Sequence, residues 1–443
     1  MSRPPNILFF LPDQHRPDWL GCNPDLPLRT PALDALGARG ARFTRAWTPS
    51  PLCAPARACL ASGRAYDRCG VPGNHTDYPL EQPTYYRALR DAGYRVGGVG
   101  KFDLHKDTSD PTRLDWHLDG SRLLADWGFT EGIDNEGKFD GSTSYRVNGE
   151  PRGPYLAYLH QRGLADAYVA EHAEARQHMG AYTTCLDDEA YCDNWLSENG
   201  LRLLKAFPEE TPWHLVINFT GPHNPMDVTA SMRERWRDVD FPLPHGNDEP
   251  DRQGLLRNRQ NYAAMIENID RQVGRFLEAV AARGELDNTL VIYSSDHGEM
   301  LGDCGRWGKS TWHTPAAGVP LIAAGPGVAP GRVSEALVCL QDLTATFLEC
   351  AGAEALPDME GRSLSGLLAG AADTHRAVAT SGLGDWRLVT DGRHKLVRHR
   401  DAPERLYDLE EDPWEDDDVA ASRPEVTARL RDCLHEELPG WPA

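Results

Sequence analysis

Ionisable or metal-binding side chains follow four short apolar runs of this 443-residue chain: Asp13-Gln14 after NILFFL, Lys101 after YRVGGVG, His223 shortly after WHLVINF, and Asp296-His297 after TLVIYSS. Each run has the length and composition of a buried strand. In an open α/β sheet the loops at the carboxyl ends of such strands converge on a ligand. One Asp-Gln or Asp-His pair is an ordinary turn, whereas four polar clusters at the same edge describe a site. Asp13, Gln14, Asp296 and His297 bring oxygen and imidazole donors suited to a divalent cation such as Ca2+, Mg2+ or Mn2+.

A further stretch, TPSPLCAPARACLASGR, spans residues 48–64. Pro55 suits the first turn of a helix that ARACLA continues, so Cys53 falls at a helix start. There the helix dipole and free N–H groups favour an anion and lower a thiol's pKa. Arg57, one turn on, can reach back toward the same point. The residues alone leave two readings, a reactive cysteine beside an anion pocket or a buried structural thiol of the kind expected for Cys59.

The elements that must position these groups alternate strands with helical patterns, as in a largely parallel sheet covered on both faces. Thr30-Pro31 predicts a helix start with an N-cap threonine and a proline at the first helical position. TYYRALRDAGY predicts a helix ahead of YRVGGVG, residues 255–283 a long amphipathic helix ahead of TLVIYSS, and VPLIAAGP (319–326) a further strand. The stretch 104–211 is polar, aromatic and weakly periodic, and reads as a long insertion over the site. Residues 1–353 would form the main α/β domain. Residues 354–443, with WRLVTDG, HKLVRH and a closing helix, would form a small α+β subdomain. The acidic run 410–418 reads as a solvated turn.

A net charge of −21 argues against general binding of nucleic acid or anionic membranes. An anionic substrate would need local cations or a metal. The N-terminal apolar run is too short for a signal-peptide core, and no stretch has the length of a transmembrane helix. Ten cysteines lack metal-finger spacing. These features predict a cytoplasmic protein with mostly free thiols.

Cys53-Ala-Pro55-Ala-Arg57, followed by Leu60-Ala-Ser62-Gly63-Arg64, resembles the signature of type I sulfatases, C-x-P-[SA]-R then x-x-[LF]-x-T-G, with Ser62 in place of the usual threonine. NILFFLPDQ, Gly100-Lys101, Pro222-His223-x-Pro225, SSDHGEMLGD with Trp307-Gly308-Lys309, and LYDLEEDPWE resemble further segments of that family, so the resemblance spans most of the chain. The Asp-Gln and Asp-His pairs resemble its choline-sulfatase and phosphonate-monoester-hydrolase branches. The resemblance implies the alkaline-phosphatase-like α/β fold and a hydrolase of small-molecule or carbohydrate sulfate esters. It also implies that a formylglycine-generating enzyme oxidises Cys53 to formylglycine, whose hydrate is the nucleophile. A metal, Ca2+ ahead of Mn2+ or Mg2+, would be held by Asp13, Gln14, Asp296, His297 and the modified Cys53. Arg57 would orient the hydrated aldehyde, Lys101 and Lys309 would neutralise the sulfate oxygens, and His223 would protonate the departing alkoxide. Phosphonate monoester or phosphodiester hydrolysis at the same site is the alternative, since tetrahedral oxyanions of sulfur and phosphorus are sterically alike. A non-catalytic oxyanion-binding protein is a more distant one.

The family's G-K-x-H segment reads here Gly100-Lys101-Phe102-Asp103-Leu104-His105. The family histidine contacts the formylglycine hydroxyls and takes a proton as sulfate leaves. Either Asp103 or His105 could take that part. If the strand ran on, alternation would put Lys101, Asp103 and His105 on one face. His105 is preferred, because a neutral imidazole titrates nearer working pH than a carboxylate beside cations. Trp116, Trp127, Trp307 and Trp312 could stack on a sugar or aryl ring or belong to the core.

Overall fold

In the computed structural model, which describes residues 3–178 and 180–441, the apolar runs assemble one eight-stranded sheet. Its strands are β1 (Asn6–Phe10), β2 (Ala41–Phe43), β3 (Arg95–Gly100), β4 (Glu131–Asp134), β5 (Trp213–Asn218), β6 (Thr289–Tyr293), β7 (Leu321–Ala324) and β8 (Arg332–Ser334). They lie in the order β8-β2-β7-β6-β1-β5-β3-β4. Every pairing is parallel except the two made by β7.

The helices that concern the site are α1 (Pro31–Arg39), α2 (Cys53–Ser62), α3 (Tyr85–Asp91), α4 (Lys138–Asn148), α5 (Pro154–Gln161), α6 (Cys192–Ala206), α7 (Arg252–Ala282), α8 (Thr314–Ala317), α9 (Asp342–Ala351) and α10 (Pro424–Glu437). Alternation along β1 decides what each face meets. Ile7 and Phe9 pack with apolar side chains of α2, α3 and α9, while Leu8 and Phe10 pack with those of α1, α6 and α7. A strand buried on both faces reads as a continuous apolar run, as NILFF does. Pro31 opens α1 as expected, but Thr30 does not cap it. Its hydroxyl meets Gly21 N and Asp34, and the free N–H groups of Ala32 and Leu33 are taken by Asp270 of α7 at 3.2 and 2.8 Å.

The stretch 104–211 supplies the edge strand β4 and the sheet-covering helix α6. Between them, Tyr145 of α4, Tyr155, Leu156 and Leu159 of α5, and Leu196 of α6 share a separate apolar cluster. Trp116 and Trp127 are buried, the latter against Phe102, so neither is free to stack on a ligand. Trp307 and Trp312 are half-buried on either side of Lys309.

Beyond the large sheet, β9 (Ala379–Leu383), β10 (Trp386–Thr390), β11 (His394–His399) and β12 (Arg405–Asp408) form an antiparallel sheet in sequence order. Leu430 and Leu434 of α10 cover one face through Val389, Leu396 and Leu406. Leu388, Val397 and Tyr407 turn the other face onto Trp47, Ala317 and Cys339. The acidic run 410–418 is mostly solvent-exposed, as expected, with one departure. Glu415 is buried and pairs with the buried Lys395 at 2.5 Å, and Trp414 stacks on His245 with ring centroids 4.6 Å apart. A buried ammonium needs a counter-charge, and this one draws a carboxylate out of solvent. Among the described residues no helix is long and apolar enough to cross a membrane, and all ten cysteines are unpaired.

Candidate active site

Strands β6, β1, β5 and β3 are neighbours in that order, so the residues beyond their carboxyl ends are brought together. Two backbone features shape the edge. Gly100 ends β3 at φ +112°, and a Cβ there would lie 1.9 Å from Asn218 O, so only glycine allows β3 and β5 this approach. Gln14 turns at φ +71°, which sends its side chain away from the line of β1.

Cys53 is the first residue of α2 and is fully buried. Its Sγ lies 3.2 Å from His297 Nε2, 3.0 Å from Lys309 Nζ, 3.6 Å from Lys101 Nζ and 3.6 Å from Asp13 Oδ1. Thr48 ties the loop before Cys53 to the neighbouring segment, its hydroxyl 2.5 Å from Asp296 O. Arg57 Nε donates to Asp296 Oδ2 at 2.9 Å, and its guanidinium also meets Asp13 Oδ2 at 3.8 Å and the backbone oxygen of Lys101. Lys101 forms a close ion pair with Asp13. Asp296 Oδ1 accepts from Gln14 N at 3.0 Å and from His297 N at 2.9 Å.

The donor set fits a cation. One ligand atom each from Asp13, Cys53, Asp296 and His297 lies within 4.8 Å of the others, and all four residues are buried. His297 Nδ1 faces Gly298 O at 3.0 Å, which leaves Nε2 turned to the cluster. Gln14 Nε2 faces Glu299 and Asn224 oxygens, so Oε1 is the atom presented inward, 2.7 Å from Lys309 Nζ. Carboxylate and amide oxygens with one imidazole match a hard or borderline divalent ion.

The charges hold one another. Burial pushes the Asp13 carboxyl up, but Lys101, His223, Lys309 and Arg57 keep it well below the usual carboxylate range. Burial likewise opposes charge on Lys101 and Arg57, yet the surrounding carboxylates and Cys53 hold both protonated. For the Cys53 thiol, burial and Asp13 act upward, while Lys101, Lys309 and His297 outweigh them and bring it to about 6. That balance favours the thiolate over the thiol. Burial, together with Lys309 and Lys101, pushes His223 well below its ordinary value against the pull of Asp13.

Asp13, Gln14, Cys53, Arg57, Lys101, Asp296, His297 and Lys309 thus meet at one point, and the charges of Asp13, Lys101 and Lys309 act on His223. The expected pair Asp103 and His105 part company. Asp103 is buried, 3.1 Å from Lys101 Nζ and 2.9 Å from Lys106 Nζ. His105 is 37% exposed and pairs with Asp77 at 3.2 Å, outside the cluster. The grouping of His105 with Lys101 and Asp103 on one face assumes that the strand runs on. It ends at Gly100 instead, and Asp103 adopts φ +53°, which breaks the alternation.

Sequence reasoning passes over Lys106, Asn218, Glu299 and Asn74. Asn218 closes β5 and lies 3.4 Å from Arg57 Nη1, so the rule of strand ends could have found it. Asn74 Oδ1 accepts from Ala54 N at 3.0 Å and satisfies a free N–H of α2.

The sulfatase family model matches residues 5–353, and a model described as N-sulphoglucosamine sulphohydrolase, C-terminal matches residues 302–440. The chain belongs to the sulfatase family. It is 31% identical to the choline-sulfatase of Rhizobium meliloti over 93% of this chain and 81% of that one. It is 26% identical to the arylsulfatase of Clostridium perfringens over 98% and 95%. The crystal structure of the phosphonate monoester hydrolase of Agrobacterium radiobacter superposes with a TM-score of 0.79 at 23% identity, covering 98% of this chain and 95% of that one. The fold is that of the family, and the chain is a sulfuric ester hydrolase.

Proposed function

We propose that the protein hydrolyses a small-molecule or carbohydrate sulfate ester with a nucleophile made from Cys53, releasing inorganic sulfate and an alcohol. The observation that carries this reading is the convergence of Cys53, two lysines and a cation-binding donor set at one buried point. Cys53 would be converted to formylglycine by a formylglycine-generating enzyme during maturation, and the hydrated aldehyde supplies the attacking hydroxyl. A divalent cation, Ca2+ ahead of Mn2+ or Mg2+, would be held by Asp13, Gln14, Asp296, His297 and the modified Cys53, and would supply Lewis-acid polarisation of the sulfuryl oxygens.

Lys101 and Lys309 flank the Cys53 position and would neutralise sulfate oxygens as the S–O bond breaks. Arg57 is fixed by Asp296 and Asp13 and would orient the hydroxyl. His223 would give a proton to the departing oxygen. Burial, with Lys309 and Lys101 adding to it, keeps its imidazole neutral, and an anionic ester between those lysines would offset their part and restore its capacity to hold a proton. Asp103, between Lys101 and Lys106, fits the proton acceptor of the second step better than the outlying His105. Ten unpaired thiols fit a reducing compartment, and we place the enzyme in the cytoplasm. The two domains would divide near residue 353.

Phosphonate monoester or phosphodiester hydrolysis is the second reading, favoured by the likeness to the Agrobacterium radiobacter enzyme. Parallel assays on choline sulfate, aryl sulfates, sulfated sugars, a phosphonate monoester and a phosphodiester test the choice. The expected outcome is a higher kcat/KM on a sulfate ester, lost on exhaustive chelation and restored by Ca2+. A phosphorus ester hydrolysed faster than every sulfate ester would transfer the assignment to the second reading.

A further inference from the structure

The loop that carries His223 is held from two sides. Asp193, buried at the start of α6, accepts from Thr220 N at 2.8 Å and Gly221 N at 3.1 Å. From the other side Lys138, the first residue of α4, enters as a buried cation. Its Nζ lies 3.1 Å from His223 O, 3.4 Å from Pro225 O and 2.6 Å from Asp227 Oδ1. The side chains of Lys138 and Asp227 are 1% and 2% exposed. An ammonium group has three N–H donors, and these three acceptors use them all. The next residue, Phe139, sets its ring edge-on to the imidazole with centroids 6.3 Å apart. One helix start therefore fixes both the backbone and the ring of the histidine. Burying an ammonium group is unfavourable unless its partners compensate, and two of the partners here are carbonyls on and just beyond His223.

We propose that Lys138 is a positioning residue for His223. It holds the 223–225 backbone so that the imidazole Nε2 points at the leaving-group oxygen. The inference rests on the reading of His223 as proton donor. His223 Nδ1 is engaged by Asn224 O, so Nε2 is the nitrogen left for the substrate. The backbone that Lys138 grips sets its direction.

A proton donor matters in proportion to the basicity of the departing oxygen. The test therefore measures kcat on 4-nitrophenyl sulfate, a good leaving group, and phenyl sulfate, a poor one. It compares wild type, His223→Asn, Lys138→Met, Lys138→Arg and the double variant Lys138→Met with Asp227→Leu. His223→Asn should lose about 100-fold more on phenyl sulfate than on 4-nitrophenyl sulfate. Lys138→Met should show the same grading at about 10-fold or more, with KM little changed, and Lys138→Arg should restore part of it. The double variant leaves no unpaired buried charge, so it keeps the test open if Lys138→Met fails to fold, and it should show the same grading. A graded loss in His223→Asn with an equal loss, or none, on both esters in the lysine variants overturns the positioning role and leaves the proton-donor reading intact. A loss in His223→Asn that is uniform across both esters overturns the proton donor and the inference with it.

Discussion

Asp13, Lys101, Asp103, Lys106 and Asp140 form a row of alternating charges that runs from the cation-binding donors to α4. Replacing the central carboxylate leaves two buried ammonium groups facing each other with only Asp13 and Asp140 as counter-charges, which loosens the hold on Lys101. Asp103→Asn is expected to lower kcat by roughly 10- to 100-fold. His105→Ala, beside Asp77 and partly solvated, is expected to change it by no more than about twofold. Steady-state sulfate release measures both, and a larger loss in His105→Ala would return the proton acceptor to that histidine. Most of the residues that gather at Cys53 are legible in the sequence because they follow an apolar strand or lie at a proline-marked helix start, whereas Lys309, in a loop, is legible only through the resemblance of its segment. Alternation alone groups His105 with Lys101, and the turn at Asp103 defeats it. Lys138 carries no local signal, since the carboxylate buried with it, Asp227, is distant in sequence, and of the two partners of Lys106 only Asp103 is near it in the chain.

Helix α8 couples the C-terminal sheet to the segments that carry His297 and Cys53. Ala316 O and Pro315 O accept from Gly298 N and Glu299 N at 2.8 and 2.9 Å, and Ala317 O accepts from Thr48 N at 2.9 Å. So short a helix cannot hold itself. Glu415 caps it at Thr314 N, 2.8 Å away, while Lys395 Nζ reaches Trp312 O at 2.9 Å. Removing one member of a buried ion pair costs about 3–5 kcal/mol, because the other is left unpaired. Lys395→Met and Glu415→Gln should each approach that loss in denaturant unfolding, and the double variant should lose clearly less than their sum. Strictly additive losses would show that the pair is not coupled. The composition of 410–418 predicts solvation correctly for most of that run. It cannot single out Glu415, which turns inward at φ +64° toward a lysine on another strand.

At the scale of the whole molecule, pH acts through buried carboxyls as well as through the net charge of −21. Burial raises Asp134 and Glu136 to about 7. For Glu136 the folded state keeps a proton that the unfolded chain releases near pH 4.5, so stability falls as pH rises from there to about 7 and stays reduced above it. Glu136 accepts from Leu156 N at 2.7 Å and Tyr155 N at 3.4 Å at the start of α5, and a glutamine keeps a neutral acceptor there. The stability of Glu136→Gln relative to wild type should therefore improve between pH 5 and pH 8, by on the order of 2–3 kcal/mol. A difference that stays flat with pH would show that the carboxyl ionises freely in the folded protein. Cys53 bears most directly on what the molecule does. The mass of the intact chain, resolved to the peptide that spans Cys53, should be measured on preparations also assayed for sulfate release. The expected peptide has the thiol sulfur and two hydrogens replaced by one oxygen, in a fraction that rises and falls with turnover. Full sulfate release from chains that carry only the unmodified Cys53 thiol would contradict a formylglycine nucleophile.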